Sequence, residues 1–194
     1  MKKSIRIISL ALAAVSCIWL AGCSTANNPG STPADEKPGF VILEGSLAAE
    51  EYGIGFRKGD PTRDVVNAAL KVLAADGTLA KISDTWFGSD ITTIEPDAKA
   101  LDNLDTQKGR TFILGLDDSF PPMGYRNDKN EIVGFDIDMA KAVCEKLGWT
   151  LKLQPIDWDA KELELNSKNI DCIWNGMTLT AERQESMSCS DAYM

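Results

Sequence analysis

The chain has 194 residues, a net charge of −9 and no histidine. Lacking His, it excludes Ser-His-Asp and Cys-His catalysis and His-ligated zinc, and it loses the usual acid/base side chain. With 29 acidic residues against 20 basic ones and no basic run, it lacks the electrostatic footprint of a nucleic-acid binder.

Lys2, Lys3 and Arg6 precede an almost wholly apolar run from Ile7 to Leu20, too short for a good membrane span. The run closes on Leu20-Ala21-Gly22-Cys23, which resembles the lipobox cut by the lipoprotein signal peptidase. Residues 1–22 therefore read as a lipoprotein signal peptide, and Cys23 as the residue whose thiol takes the lipid. A plain secretory signal with an incidental Cys is the alternative. The expected location is outside the cytoplasm, at the cell surface or in the periplasm, anchored to the membrane by lipid. Cleavage would remove three basic residues and no acidic one, taking the charge from −9 to −12. Anionic head groups would repel such a chain, which makes a covalent anchor useful. Residues 23–38, polar and broken by Pro and Gly, read as a flexible leash. The chain beyond the leash is long enough for one α/β domain and not comfortably two.

Phe40 to Leu43 is a short apolar run, and Tyr52, Ile54 and Phe56 alternate like a half-buried strand over Glu51–Arg57. Asp60 and Pro61 are placed as N-cap and first residue of a helix. Val66, Ala69, Leu70 and Leu73 give that helix an apolar stripe, and Asp76-Gly77 stops it. A second helix, Leu79 to Phe87, is expected to bury Ile82 and Trp86 and to end at Gly88. Residues 89–109 are polar, acidic and weakly periodic, a connector. Phe112–Leu116 predicts a strand and Asp128-Lys129-Asn130 a hairpin tip. A helix is expected over Phe135–Leu147, with Ile137, Ala140, Val143, Cys144 and Leu147 on one side. Then come a strand at Leu151–Ile156, a short helix at Asp159–Asn166, a strand at Ile170–Trp174 and a short helix from Thr180. Strands alternating with helices predict an α/β fold, a mixed sheet with helices on both faces. Trp86, Trp149 and Trp174 are assigned to the core. Cys144, Cys172 and Cys189 show no C-x-x-C spacing and read as free, buried thiols, with a disulfide as the alternative.

Three stretches carry a family resemblance. The first is Leu116-Asp117-Asp118-Ser119-Phe120-Pro121-Pro122-Met123-Gly124-Tyr125 with Val133-Gly134-Phe135-Asp136-Ile137-Asp138. The second is Asp171-Cys172-Ile173-Trp174-Asn175-Gly176-Met177-Thr178-Leu179-Thr180-Ala181-Glu182-Arg183. The third runs from Glu51-Tyr52-Gly53-Ile54-Gly55-Phe56-Arg57-Lys58-Gly59-Asp60 to Thr85-Trp86-Phe87-Gly88. Together they resemble the extracytoplasmic solute-binding proteins of polar amino-acid ABC importers. The resemblance implies a periplasmic-binding-protein-like (type II) fold, in which two α/β lobes close on an amino acid like a hinged clamp. Two departures stand out. The third stretch normally comes last, and Ser190–Met194 falls where the first crossover strand leads to the second lobe. The expectation is one lobe, circularly permuted: residues 39–88 its C-terminal part, 89–109 the connector, 110–194 its N-terminal part, and no second lobe.

The resemblance also implies roles for side chains. Arg183 would grip the ligand carboxylate with a bidentate guanidinium, or else pair with Glu182 or Glu185 at the surface. Thr178 would add its hydroxyl and amide, and Gly176 would let the ligand approach the backbone. Phe120 and Trp158 would sandwich the ligand side chain, with core packing as the alternative. Asp117 would meet the ligand's polar end, or else serve a turn, and Asn175 is a weaker candidate. No cofactor or metal is implied. The expected partners are a polar amino acid and the membrane permease of an ABC transporter with its ATPase. Self-association is also expected, through apolar strand edge at Phe40–Leu43 and Ala192–Met194. The competing readings are a dehydratase-like enzyme on the same fold and a rearranged interaction module or nonfunctional remnant.

Overall fold

The computed structural model describes residues 49–194. The expected signal peptide (residues 1–22), Cys23, the expected leash (residues 23–38) and the Phe40–Leu43 run lie outside the described residues. A five-stranded sheet organises the fold: β1 (Tyr52–Phe56), β2 (Thr111–Leu116), β6 (Thr150–Pro155), β7 (Cys172–Thr178) and β8 (Ser188–Cys189). Its spatial order is β6-β2-β7-β1-β8. β2 runs parallel to β6 and β7, while β1 runs antiparallel to β7 and β8, so the sheet is mixed. A small antiparallel sheet of β3 (Ser119–Phe120), β4 (Gly124–Arg126) and β5 (Ile132–Val133) comes after β2 in the chain.

Alternation along the strands divides two apolar layers. Phe112 and Leu114 of β2, Ile54 and Phe56 of β1, and Trp174 of β7 face the larger layer. It is completed by α1 (Thr62–Ala75), α2 (Thr78–Phe87) and α3 (Phe135–Leu147), through Val66, Leu70, Leu79, Ile137 and Val143. On the other face Ile173 and Met177 meet Leu165, Ile170 and Met187. There the cover is α4 (Lys161–Asn166) and the segment around α5 (Ala181–Ser186). Each fully buried Leu, Ile or Phe contributes on the order of 2 kcal/mol. This is the expected α/β arrangement, with helices on both faces of a mixed sheet.

Several local expectations are refined. Pro61 has helical dihedrals, and Asp60 Oδ1 accepts the Thr62 N–H at 2.9 Å, so Asp60 caps α1. β1 is not half-buried: Gly53 and Gly55 are as buried as Ile54 and Phe56. A Cβ on Gly53 would come within 2.5 Å of Leu179 Cδ2, and one on Gly55 within 2.5 Å of Met187 Sδ. The glycines are the second apolar face of a central strand, not its wet face. In α2 the buried residues are Leu79 and Ser83, whereas Ile82 and Trp86 are only partly covered. Trp86 belongs to the rim, because its indole N–H donates to Asp138 Oδ2 at 3.0 Å and must stay near polar company. Trp149 and Trp174 are buried as expected. The short helix expected at Asp159–Asn166 divides into a 3₁₀ turn (Trp158–Ala160) and α4. Asn127 shapes the β4–β5 tip by accepting the N–H groups of Lys129 and Glu131.

The C-terminal segment corrects the expectation of open strand edge at Ala192–Met194. Tyr193 is fully buried. Tyr52 N donates to Met194 O and Tyr193 N to Tyr52 O, both at 2.9 Å, so the segment pairs with β1. Its outer side is covered by the connector, where Thr93 N donates to Tyr193 O and Thr93 Oγ1 to Ala192 O, each at 3.0 Å. These four bonds pair the segment within the chain. The connector forms no helix or strand, yet it buries Ile94 in the larger layer. Cys144, Cys172 and Cys189 are free thiols. No helix among the described residues is long and apolar enough to cross a membrane.

Candidate ligand-binding site

The site grows out of an irregularity in β7. Gly53 pairs with Met177 and Gly55 with Ile173, so Ile54 alone stands opposite Trp174, Asn175 and Gly176. On its other side β7 pairs with β2 only at Cys172 and Ile173. Residues 174–176 therefore bulge at the carboxyl end of β2, a device that re-aims side chains at sheet ends. Gly176 adopts φ +57°, and a Cβ there would lie 2.7 Å from Phe120 Cε1. Only glycine fits that backbone and that gap.

Asp117, Phe120, Trp158, Asn175 and Gly176 line a cavity of about 160 Å³ in front of the bulge. Five of the seven expected binding residues thus meet, drawn from the end of β2, from β3, from the 3₁₀ turn and from β7. Phe120 is 42 % exposed, a large apolar ring left open on one wall. Trp158 packs against the smaller apolar layer and carries Lys161 Nζ 5.3 Å from its ring centre. That ring is already engaged by one cation.

Asp117 meets both of its alternatives at once. Its Oδ1 accepts the Ser119 N–H at 2.9 Å and hydroxyl at 2.6 Å, closing a turn, while the residue also lines the cavity. Asn175 Nδ2 donates to the Asp117 carbonyl at 3.1 Å, locking the bulge to the end of β2. Its Oδ1 is buried without a hydrogen-bond partner.

Thr178 and Arg183 do not line this cavity; they form a polar group where β7 passes into α5. Thr180 caps α5 by accepting the Arg183 N–H at 3.2 Å. The Arg183 guanidinium turns back, and Nη1 donates to the Thr178 carbonyl at 2.8 Å. Among the described residues no carboxylate lies within ion-pair distance of Arg183, so it is not paired with Glu182 or Glu185. Thr178 Oγ1 donates instead to Glu50 Oε2 at 3.2 Å.

Sequence reasoning missed two carboxylates here. Glu50 lay in a polar run with no pattern to single it out. Asp136 did carry a signal, because it shares its helical stripe with Ala140 and Val143 at i+4 and i+7. It is fully buried, and its Oδ2 accepts the Gly176 N–H at 2.6 Å and the Tyr193 hydroxyl at 2.9 Å. Burial pushes its pKa up to about 7, against the lowering effect of the Gly176, Tyr193 and Trp174 donors. The Trp174 indole N–H acts through proximity, for neither it nor Asp136 Oδ1 has a hydrogen-bond partner.

Residues 112–194 match the family described as bacterial extracellular solute-binding proteins, family 3, which is less than half of the chain. The chain is 35 % identical over 92 residues to the arginine-binding extracellular protein ArtP of Bacillus subtilis, covering 47 % of this chain and 36 % of that protein. It is 31 % identical over 83 residues to the L-cystine-binding protein TcyJ of Escherichia coli, covering 43 % and 31 %. Among solved structures, an ABC uptake transporter substrate-binding protein from Streptococcus pneumoniae with bound histidine is 50 % identical over 39 % of this chain and 31 % of its own, with a TM-score of 0.39. The chain spans about a third of the length of the curated relatives it matches. The part of it from Phe112 onward is therefore similar to the extracellular solute-binding proteins of family 3, and that part holds every residue of the cavity.

Proposed function

We propose that this chain is a substrate-binding component of an ABC-type import system, capturing a polar amino acid outside the cytoplasm. One observation carries the reading: all five cavity residues, with Thr178 and Arg183, fall inside the segment that matches an extracellular solute-binding family. Relatives of that segment bind arginine and cystine by name. In this reading Arg183, free of any carboxylate partner among the described residues, takes the ligand carboxylate with Thr178. Phe120 supplies the open aromatic wall, and Trp158 and Asp117 border the side-chain end. The chain binds and releases its ligand without chemistry, and hands it to a membrane permease coupled to an ATPase. Cys23 is its lipid anchor.

The same reading extends to chain order. β1 lies between β7 and β8, so residues 52–56 and 172–189 complete one sheet. This supports taking residues 39–88 and 110–194 as two parts of one lobe, joined in permuted order by the connector.

Calorimetric titration with L-arginine, L-histidine and L-cystine tests the proposal, run beside Arg183→Ala. Saturable heats with one of them, lost in the variant, are expected. A folded protein that gives no heat with a full panel of polar amino acids would sink it.

A further inference from the structure

A half-buried backbone N–H that a bulge removes from its ladder needs another acceptor wherever water is shut out. For Gly176 that acceptor is Asp136 Oδ2. The same oxygen holds the Tyr193 hydroxyl, so one carboxylate joins the start of α3, the cavity wall and the segment paired with β1. An apolar residue at 136 would suit the surrounding layer but leave the Gly176 amide without a partner. The arrangement serves the conformation of the bulge, not the packing of the core.

We propose that Asp136 is a positioning residue of the binding cavity, holding the Gly176 amide inward so that the bulge presents its Cα to the ligand. As far as the ligand is concerned, this rests on the amino-acid-binding reading above. The bond is charge-assisted while the carboxylate is ionised, which makes it roughly twice as strong as a neutral one. On protonation the bare Oδ1 takes the proton, and Oδ2 keeps both donors as a weaker, neutral acceptor. The groups that face Asp136 are the Trp174 indole and Gly176 amide from β7, the Tyr193 phenol from the C-terminal segment and the Tyr52 phenol from β1. No Lys or Arg is among them. Burial therefore dominates and brings the change of charge close to pH 7. The cavity wall is held most firmly above that pH and loosens below it.

The test tracks the Gly176 amide by ¹H–¹⁵N correlation spectra from pH 5.5 to 8, alongside calorimetry with L-arginine, whose own charge is constant over this range. The amide proton is expected to move upfield on acidification with a midpoint near 7. Affinity should fall about fivefold with the same midpoint, the size expected when one charge-assisted bond becomes neutral. Asp136→Asn should abolish both pH profiles, and Tyr193→Phe should shift their midpoint upward by removing one donor to the anion. A Gly176 amide that does not titrate overturns the proposal, and this is read on the unaltered protein even if Asp136→Asn fails to fold. An affinity that stays flat while the amide titrates also overturns it. If the amide titrates with the stated variants behaving as expected but L-arginine and the other amino acids never bind, the inward tether of Gly176 is supported and the binding reading is what fails.

Discussion

Arg183 is held by the strand that precedes it: its Nη1 donates to the carbonyl oxygen of Thr178 across 2.8 Å. This bond fixes one arm of the guanidinium and leaves the rest of the fork free for an anion. A Lys could make the tether or meet an anion, but not offer two parallel donors while doing so. Arg183→Lys should weaken amino-acid binding tenfold or more, yet cost less than about 1 kcal/mol of stability, because α5 is a short, exposed helix with no buried residue. Calorimetry and urea unfolding on the same sample check both halves.

Gly176→Ala strikes the cavity from the inside. The new Cβ meets the Phe120 ring edge and a left-handed backbone at once. We expect a stability loss of about 1–3 kcal/mol and loss of ligand binding. Phe120→Ala in the same background should recover part of the stability, measured as a double-mutant cycle in urea.

The buried carboxyl also sets a pH dependence of stability. The folded pKa of Asp136, about 7, lies above its ordinary value of 3.8. The folded state therefore holds the proton more tightly than the unfolded chain. That contribution is complete below pH 4 and is lost as pH rises through 7, by at most about 4 kcal/mol. Asp136→Asn removes this slope, so the gap between variant and parent should shift in favour of the variant from pH 5 to pH 9. Urea titrations at several pH values measure it, and a constant gap would contradict the assignment.

Burial controls the three thiols as well. It pushes the Cys144 pKa up to about 12 and raises that of Cys172 well above the ordinary range, with a smaller rise at Cys189. The thiolate is the reactive species. Alkylation at pH 8 and then peptide mapping should find Cys144 and Cys172 modified only on unfolding, with Cys189, half-buried at the sheet edge, modified first.

Much of this fold is legible in periodicity. The stripe Val66-Ala69-Leu70-Leu73, the α3 stripe and the Phe112–Leu116 run each report a local pattern that packing keeps. The harder parts share a cause: their environment is supplied by distant chain. Asn175-Gly176 reads as the end of a strand, yet β7 runs on to Thr178 because β1 pairs with it from more than a hundred residues away. Gly53 and Gly55 look like gaps in an alternating strand, and only the presence of Leu179 and Met187 reveals a buried second face. Strands of two or three residues, such as β3, β5 and β8, have no period to detect. In the cavity, residue type and motif pointed to the aromatic, amide and glycine positions. They did not reveal that Lys161 occupies one region around Trp158, or that Asp136 supports Gly176 from behind.

The position of β1 has a kinetic consequence. It leaves the ribosome before every other strand of the sheet, yet its neighbours are β7 and β8, and Tyr52 closes its last bonds with Tyr193 and Met194. Loop-closure entropy across that span opposes those pairings until the ends meet, so sheet completion is expected to be slow and late. A nascent chain that stays open until residue 194 is available is also one that a secretion channel, which threads unfolded polypeptide, can accept. For the exported chain proposed above, the strand order that makes the sheet nonlocal would thereby keep the polypeptide pliable for translocation.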